Sequence, residues 1–334
     1  MTRMILDVDS VGDDILAIYF AAGREDIELE GVTTVKGASG DIKQATRVAL
    51  NTLTVADRED VPVYSGAQTA IVGHSEEEEK APVHFEKTLK KKFGDRLEGF
   101  NPSAPEPNRA DEDKHAVDFI INKIMNNPDE ITLVATGPLT NLGLALIQEP
   151  EIAENVKECI IMGGVFEIPG NITPVVEYNI WADPEAAKIL FNSGIPLTVV
   201  GLDVCENNEF AAGMLTRDDL YDISNMDNPV ADKLNDFLPI YIDIWREFFN
   251  LVGFPMDDVI AAALAVDKSL CTISDPIYVD VETEGRLTRG QTIPHRGEQI
   301  FKFNGKPNTR ICTAVDGNRF MRLFKDTIAD YSHK

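Results

Sequence analysis

Four carboxylates fall within eight residues near the N-terminus, in Asp7-Val-Asp9-Ser-Val-Gly-Asp13-Asp14. They follow the apolar run Arg3–Val8 and open Asp13–Ala22, whose apolar residues recur at helical spacing. Asp7 and Asp9 are two apart, which sends both to one side of a strand. Asp13 and Asp14 fall in a first helical turn, where the macrodipole favours negative charge. Four such charges repel one another, and a hard cation with oxygen ligands relieves that repulsion. The competing structural explanation is N-capping plus surface charge, which suffices for a single Asp pair.

Other junctions have the same chemistry. Asp257-Asp258 precedes the apolar stretch Val259–Val266. Thr136-Gly-Pro-Leu-Thr-Asn141 follows Ile131–Ala135 and could be a plain turn and cap. Met162-Gly-Gly164 ends another apolar run, and glycines there allow close backbone approach. Asn171, Glu177 and Asn179 share one irregular segment. Amides with a carboxylate suit a polyol, because hydroxyls both donate and accept. No His or Cys stands among the acidic junctions, which disfavours zinc.

These residues need elements to position them. Strands are predicted at Arg3–Val8, Leu29–Val35, Ile131–Ala135, Cys159–Met162 and Pro196–Gly201. Helices are predicted at Asp13–Ala22, Gly40–Ala56, Lys114–Met125, Pro138–Ile147 and Pro184–Asn192. The alternation predicts an α/β protein: an open, mostly parallel, Rossmann-like sheet covered by helices. In such sheets the carboxyl ends of the strands face the ligand crevice. Residues 277–312 read as strands and turns, and Asn318–Ala329 as a helix, an extra C-terminal region. Residues 71–113, with Glu76–Glu79, Lys90–Lys92 and Pro102–Pro107, read as a charged loop or lid insertion. No linker or repeat divides the chain, so one domain over residues 1–334 is expected.

Charge narrows the partners. The 334 residues carry 56 Asp and Glu against 31 Lys and Arg, a net of −25. Such a chain repels phosphate backbones and anionic membranes, so neither nucleic acid nor membrane is expected as a partner. The longest apolar stretches, such as Val259–Val266, are about half the ~20 residues a membrane span needs. Met1–Leu6 runs straight into Asp7, leaving no signal-peptide core. Cys159, Cys205, Cys271 and Cys312 form no CxxC pair and read as free thiols in a reducing cytoplasm.

Two family patterns fit the opening. An apolar strand followed by Asp-x-Asp resembles haloacid-dehalogenase phosphatases, with Asp7 as nucleophile and Asp9 as acid/base, but the tandem Asp13-Asp14 lies outside that pattern. The longer match is an ordered one. Asp-x-Asp-x-x-x-Asp-Asp, Thr-Gly-Pro-Leu-Thr-Asn, Met-Gly-Gly, Gly-Asn…Glu-x-Asn…Asp-Pro-Glu-Ala-Ala and a late helix-opening Asp resemble the inosine–uridine nucleoside hydrolase family. Val279–Gly290 matches its C-terminal signature, and the resemblance covers nearly the whole chain.

The resemblance implies a calcium-dependent hydrolase that cleaves a ribonucleoside to ribose and free base, as a homodimer or homotetramer. By resemblance, Asp9 is the general base and a calcium ligand, joined by Asp14, the Thr136 carbonyl and Asp258. Asp13, Asn171, Glu177 and Asn179 would hold the sugar, with Met162 beneath it. Calcium's six to eight oxygen ligands at flexible geometry are compatible with this set. A relative that binds ribose or nucleoside with calcium, but has lost leaving-group chemistry, is the second reading.

Several positions depart from the family. The glycine of Ser10-Val11-Gly12 is displaced by one, although the spacing of the acids survives. Ala38 replaces an Asn that contacts the sugar, removing a hydrogen bond worth ~1 kcal/mol. Asp257 occupies the catalytic position where many members carry a His that protonates or orients the leaving base. His84 matches a family Val-His-Gly loop, with Phe85 replacing Gly, and is either a substrate contact or a solvated surface residue. Phe237, Tyr241, Trp245 and Phe249 recur every four residues along a helix predicted over Asn228–Asn250. They form a core stripe or, at Tyr241 for example, stack on the nucleobase.

Overall fold

The computed structural model describes residues 1–74, 80–99, 106–206, 212–295 and 305–333. Its strands are β1 (Thr2–Val8), β2 (Ile27–Thr34), β3 (Val63–Ser65), β4 (Ile131–Ala135), β5 (Glu158–Met162), β6 (Leu197–Val200), β7 (Met214–Leu215), β8 (Phe254–Pro255), β9 (Cys271–Ile273), β10 (Tyr278–Val281), β11 (Thr292–His295) and β12 (Thr309–Val315). Eight of them form one sheet in the order β3-β2-β1-β4-β5-β6-β12-β9. Every pairing in it is parallel except β12 with β9.

The sheet is apolar on both faces because helices cover both. Met4, Leu6 and Val8 of β1 join Val134, Ile160 and Val200 in one core. Ile5, Leu133, Ile161 and Val199 alternate with them into a second core on the opposite face. From β1 the chain runs one way to β2 and β3 and later the other way to β4, β5 and β6. The carboxyl ends of β1 and β4 therefore flank the point where the strand order reverses, the expected ligand crevice of an open α/β sheet.

The fold class read from the sequence holds, with two differences. Residues 71–113 are not simply loop. A helix, Lys80–Phe93, and a short 3₁₀ turn, Gly94–Gly99, lie within them. Leu89 is buried in the core, and Phe93 one turn later meets Phe248 with ring centroids 6.1 Å apart. That apolar pair, hidden in a lysine-rich stretch, docks the helix. Second, the C-terminal segment is not an appendage. β12 extends the main sheet beside β6, and Tyr331 Oη, beyond helix Gly317–Ala329, donates to the Tyr19 carbonyl at 2.7 Å.

Cys159, Cys271 and Cys312 form no disulfide, while the Cys205 side chain lies outside the described residues. Among the described residues no helix is long and apolar enough to cross a membrane.

Candidate active site

The chemistry gathers where β1 ends. Asp7 is fully buried and its Oδ1 accepts from Thr33 Oγ1 at 2.5 Å and Asn141 Nδ2 at 2.8 Å. Burial pushes its carboxyl up to about 7, although both donors pull the other way. Asn141 also donates to the Thr34 carbonyl and accepts from Ala67 N, so this amide ties β1, β2 and the segment after β3 together. With its carboxylate enclosed, Asp7 cannot be a phosphatase nucleophile, which corrects that reading; its role is to lock the strand end.

Past Val8 the backbone turns sharply: Ser10 and Gly12 both have φ of 61°. That conformation is strained for a serine and persists because the surroundings hold it. The turn brings Asp9 against the segment after β2, where Ala38 N donates to Asp9 Oδ2 at 2.7 Å. A Cβ on Gly37 would stand 2.0 Å from that same oxygen, so only glycine fits there. The lost Asn side chain at position 38 thus leaves intact a backbone donor that any residue but proline supplies.

The remaining acids close on Asp9 from two helix starts. Asp14, in the first turn of helix Asp13–Gly23, accepts from Thr136 Oγ1 at 2.6 Å and Val11 N at 3.0 Å. Its carboxyl is also hydrogen-bonded to that of Asp9. Asp13 Oδ2 accepts from Asp258 N at 3.0 Å, and the two side chains are hydrogen-bonded to each other. Asp257 and Asp258 begin helix Asp257–Leu264 and are 3% and 4% exposed.

Burial raises all four carboxyls: Asp13 to about 6, Asp9 above its ordinary value, and Asp14 and Asp258 well above theirs. Mutual repulsion adds to burial: Asp13, Asp14, Asp9 and Asp257 all push the Asp258 carboxyl further up. Two carboxyls hydrogen-bond each other only when they share a proton, and a bound cation can take that proton's place. Among the described residues no group of three acids, His or Cys already surrounds one point as metal ligands do; the four acids are drawn into two pairs instead. Their donor chemistry still suits a hard cation, being buried, anionic and all oxygen. The Thr136 carbonyl accepts from Asn179 Nδ2 at 2.8 Å and keeps a second lone pair.

Across the crevice, the residues after β5 form the other wall. Glu177 caps helix Tyr178–Ala182, accepting from Asn179 N at 2.7 Å and Ile180 N at 3.2 Å, and its Oε2 also accepts from Gly164 N at 2.9 Å. Burial pushes its carboxyl up to about 7 against these three donors. Asn179 Nδ2 reaches the Met162 carbonyl and its sulfur at 3.2 and 3.3 Å. Asn171 Oδ1 accepts from Tyr178 N at 2.9 Å. Asn171, Glu177, Asn179 and Met162 thus share one hydrogen-bonded frame, and Asn179 links it to Thr136 beside the acids.

Tyr241 is buried in the aromatic stripe of helix Pro229–Phe248. Its ring lies 5.1 Å from Phe254 and 5.9 Å from Trp245 by centroids, and a Cβ on Gly12 would come 3.1 Å from it. It therefore supports the turn that carries Asp13. His84 sits in helix Lys80–Phe93, but its side chain lies outside the described residues.

Some contributors escape sequence reasoning. Gly37 and the Ala38 N–H have no chemistry that marks them, and Asn141 was visible only as the last residue of Thr-Gly-Pro-Leu-Thr-Asn. Asp183 was visible only as part of Asp-Pro-Glu-Ala-Ala, yet it is fully buried and accepts from Thr140 Oγ1, Ile71 N and Ala186 N.

Comparison with known proteins adds an independent line. Residues 4–322 match the family described as inosine-uridine preferring nucleoside hydrolase. The chain is 31% identical over 329 residues to the pyrimidine-specific ribonucleoside hydrolase RihA of Salmonella arizonae, covering 98% of each chain. It is 30% identical over 332 residues to a probable uridine nucleosidase 2 of Arabidopsis thaliana, again covering 98% of each. Among solved structures, a purine-preferring ribonucleoside hydrolase from Gardnerella vaginalis is 32% identical, with a TM-score of 0.85 and 99% of each chain covered. With a matching sheet, an acidic centre at its switch point and end-to-end similarity, the chain belongs to the inosine–uridine preferring nucleoside hydrolase family, whose members are N-glycosyl hydrolases.

Proposed function

We propose that this protein hydrolyses the N-glycosidic bond of ribonucleosides to ribose and free base, with calcium held by Asp9, Asp14, the Thr136 carbonyl and Asp258. The observation that carries this reading is the convergence of four carboxyls at the carboxyl end of β1, Asp9, Asp14 and Asp258 buried and Asp13 half-buried, with Asp13 Oδ2 accepting from Asp258 N at 3.0 Å and Asp14 from Thr136 Oγ1 at 2.6 Å. When bound, the ion orients the attacking water and lowers its pKa. Asp9 accepts the water's proton, aimed by the Ala38 N–H. Asp13, the more exposed acid of the cluster, holds a ribose hydroxyl, and Asn171, Glu177, Asn179 and Met162 line the sugar's other side. The surrounding carboxylates stabilise the positive charge that develops on the sugar as the bond breaks.

The leaving base departs on the side of Asp257. Similarity does not choose the base, because relatives named for pyrimidines and for purines are about equally close, at 31% and 32% identity. A nucleoside panel scored by release of reducing sugar tests the activity. Calcium-dependent binding without turnover of any nucleoside would favour the non-hydrolytic relative. A homodimer or homotetramer is checked by light scattering, where a monomer alone would remove it.

A further inference from the structure

Asp203 is the second residue of the short helix Leu202–Cys205, directly after β6, and it lies outside the acidic centre. Its carboxylate takes three consecutive backbone N–H groups from the segment after β5. Oδ2 accepts from Phe166 N at 2.8 Å, and Oδ1 from Glu167 N at 2.6 Å and Ile168 N at 3.2 Å. A carboxylate in a nest of backbone donors is a strong, directional clamp. The segment it grips leads to Asn171 and ends at Glu177.

The rest of this segment is pinned nearby. Leu202 N donates to the Gly164 carbonyl at 3.1 Å, and Gly163 N to the Val200 carbonyl at 2.9 Å. Thr292 Oγ1 holds both the Val165 N–H and the Val165 carbonyl, at 3.2 and 2.7 Å. Glu177 returns to Gly164. All of these reach only residues 163–165. Asp203 alone among the side chains just named reaches 166–168, the stretch that continues toward Asn171.

We infer that Asp203 is a positioning residue for sugar recognition: it fixes the 166–168 stretch to the helix after β6 so that Asn171, three residues on, meets the ribose hydroxyls in register. This role needs no contact with the sugar; its two oxygens accept from three backbone donors. The inference rests on the proposed ribonucleoside hydrolysis. Misplacement by about 1 Å is enough to lose a positioned contact without unfolding the protein.

The test compares kcat/KM for a ribonucleoside with its 2′-, 3′- and 5′-deoxy analogues, in whichever base series the wild type cleaves. Measurements are made on the wild type, Asp203→Ala and Asp203→Asn, with calcium present. The ratio between two substrates is independent of the fraction of folded enzyme, so poor folding of a variant does not distort it. In the wild type, removing a hydroxyl that the segment holds should cost roughly tenfold or more. In Asp203→Ala that cost should fall to within about threefold at one or more positions, with KM rising more than kcat falls. Asp203→Asn keeps one acceptor oxygen and should recover part of the discrimination. Unchanged ratios at every hydroxyl in both variants would overturn the inference, as would a wild type indifferent to all three. A wild type that cleaves no nucleoside at all would instead overturn the proposed function.

Discussion

The N–H of Ala38 meets Asp9 Oδ2 at 2.7 Å, while the neighbouring Gly37 has no room for even a methyl group beside that oxygen. Asp9 is thus aimed by backbone, and a minimal change there should act on chemistry. Gly37→Ala should lower kcat by roughly 10²-fold through displacement of the carboxylate, with thermal stability reduced far less than activity. A variant with near wild-type turnover would show that Asp9 tolerates a different position.

Asp9→Asn removes the proposed base and leaves the hydrogen-bonding shape. Turnover should fall by a factor of roughly 10²–10⁴ or more, with the far-ultraviolet circular dichroism unchanged. Retained activity would take Asp9 out of the base role.

Metal content gives a direct check. Elemental analysis should find calcium, and chelation should abolish activity until calcium is restored. Asp14→Ala and Asp258→Ala should each weaken calcium binding. Stoichiometric zinc, or full calcium affinity in both variants, would contradict the proposed ligand set.

Burial raises the carboxyls of Asp7 and Glu177 to about 7 and that of Asp13 to about 6. In the unfolded chain such groups titrate near about 4. A raised folded pKa contributes stability that is present below the unfolded value and lost as pH rises through the folded one. The chelated protein should therefore lose stability between about pH 4 and pH 7 from these groups. Calcium favours the ionised carboxylates near it, so the rise in Tm it produces should grow from pH 5 to pH 8. Paired thermal melts with and without calcium check this, and a calcium effect that shrinks with rising pH would contradict it.

With calcium held as proposed, the ion would oppose protonation of Asp257 and make it a poor acid for a purine leaving group. Nucleosides whose base leaves without being protonated should then do best. The expected order in kcat/KM is nicotinamide riboside, then uridine, then inosine. Asp257→His should raise inosine cleavage and lower that of nicotinamide riboside. Fastest cleavage of inosine by the wild type would refute the ranking.

The sequence by itself determined the fold class and the acids. The alternation of apolar strands with helical spacing required a parallel sheet, and Asp9, Asp13, Asp14 and Asp258 stand at strand-to-helix junctions that the pattern alone locates. Periodicity and local charge are short-range signals, so they survive in a bare sequence. What only the tertiary structure decided is which groups hold those acids in place. The Ala38 N–H, the close approach of Gly37 to Asp9 and the Asn141 amide belong to ordinary residues whose roles come from contacts across 28 to 134 positions of chain. Helix Lys80–Phe93 was hidden for a related reason: its lysines dominate the composition, while two apolar residues determine where it docks. Asp203 looks like one more acid among 56, and only the close packing of β5 and β6 brings three backbone donors to it.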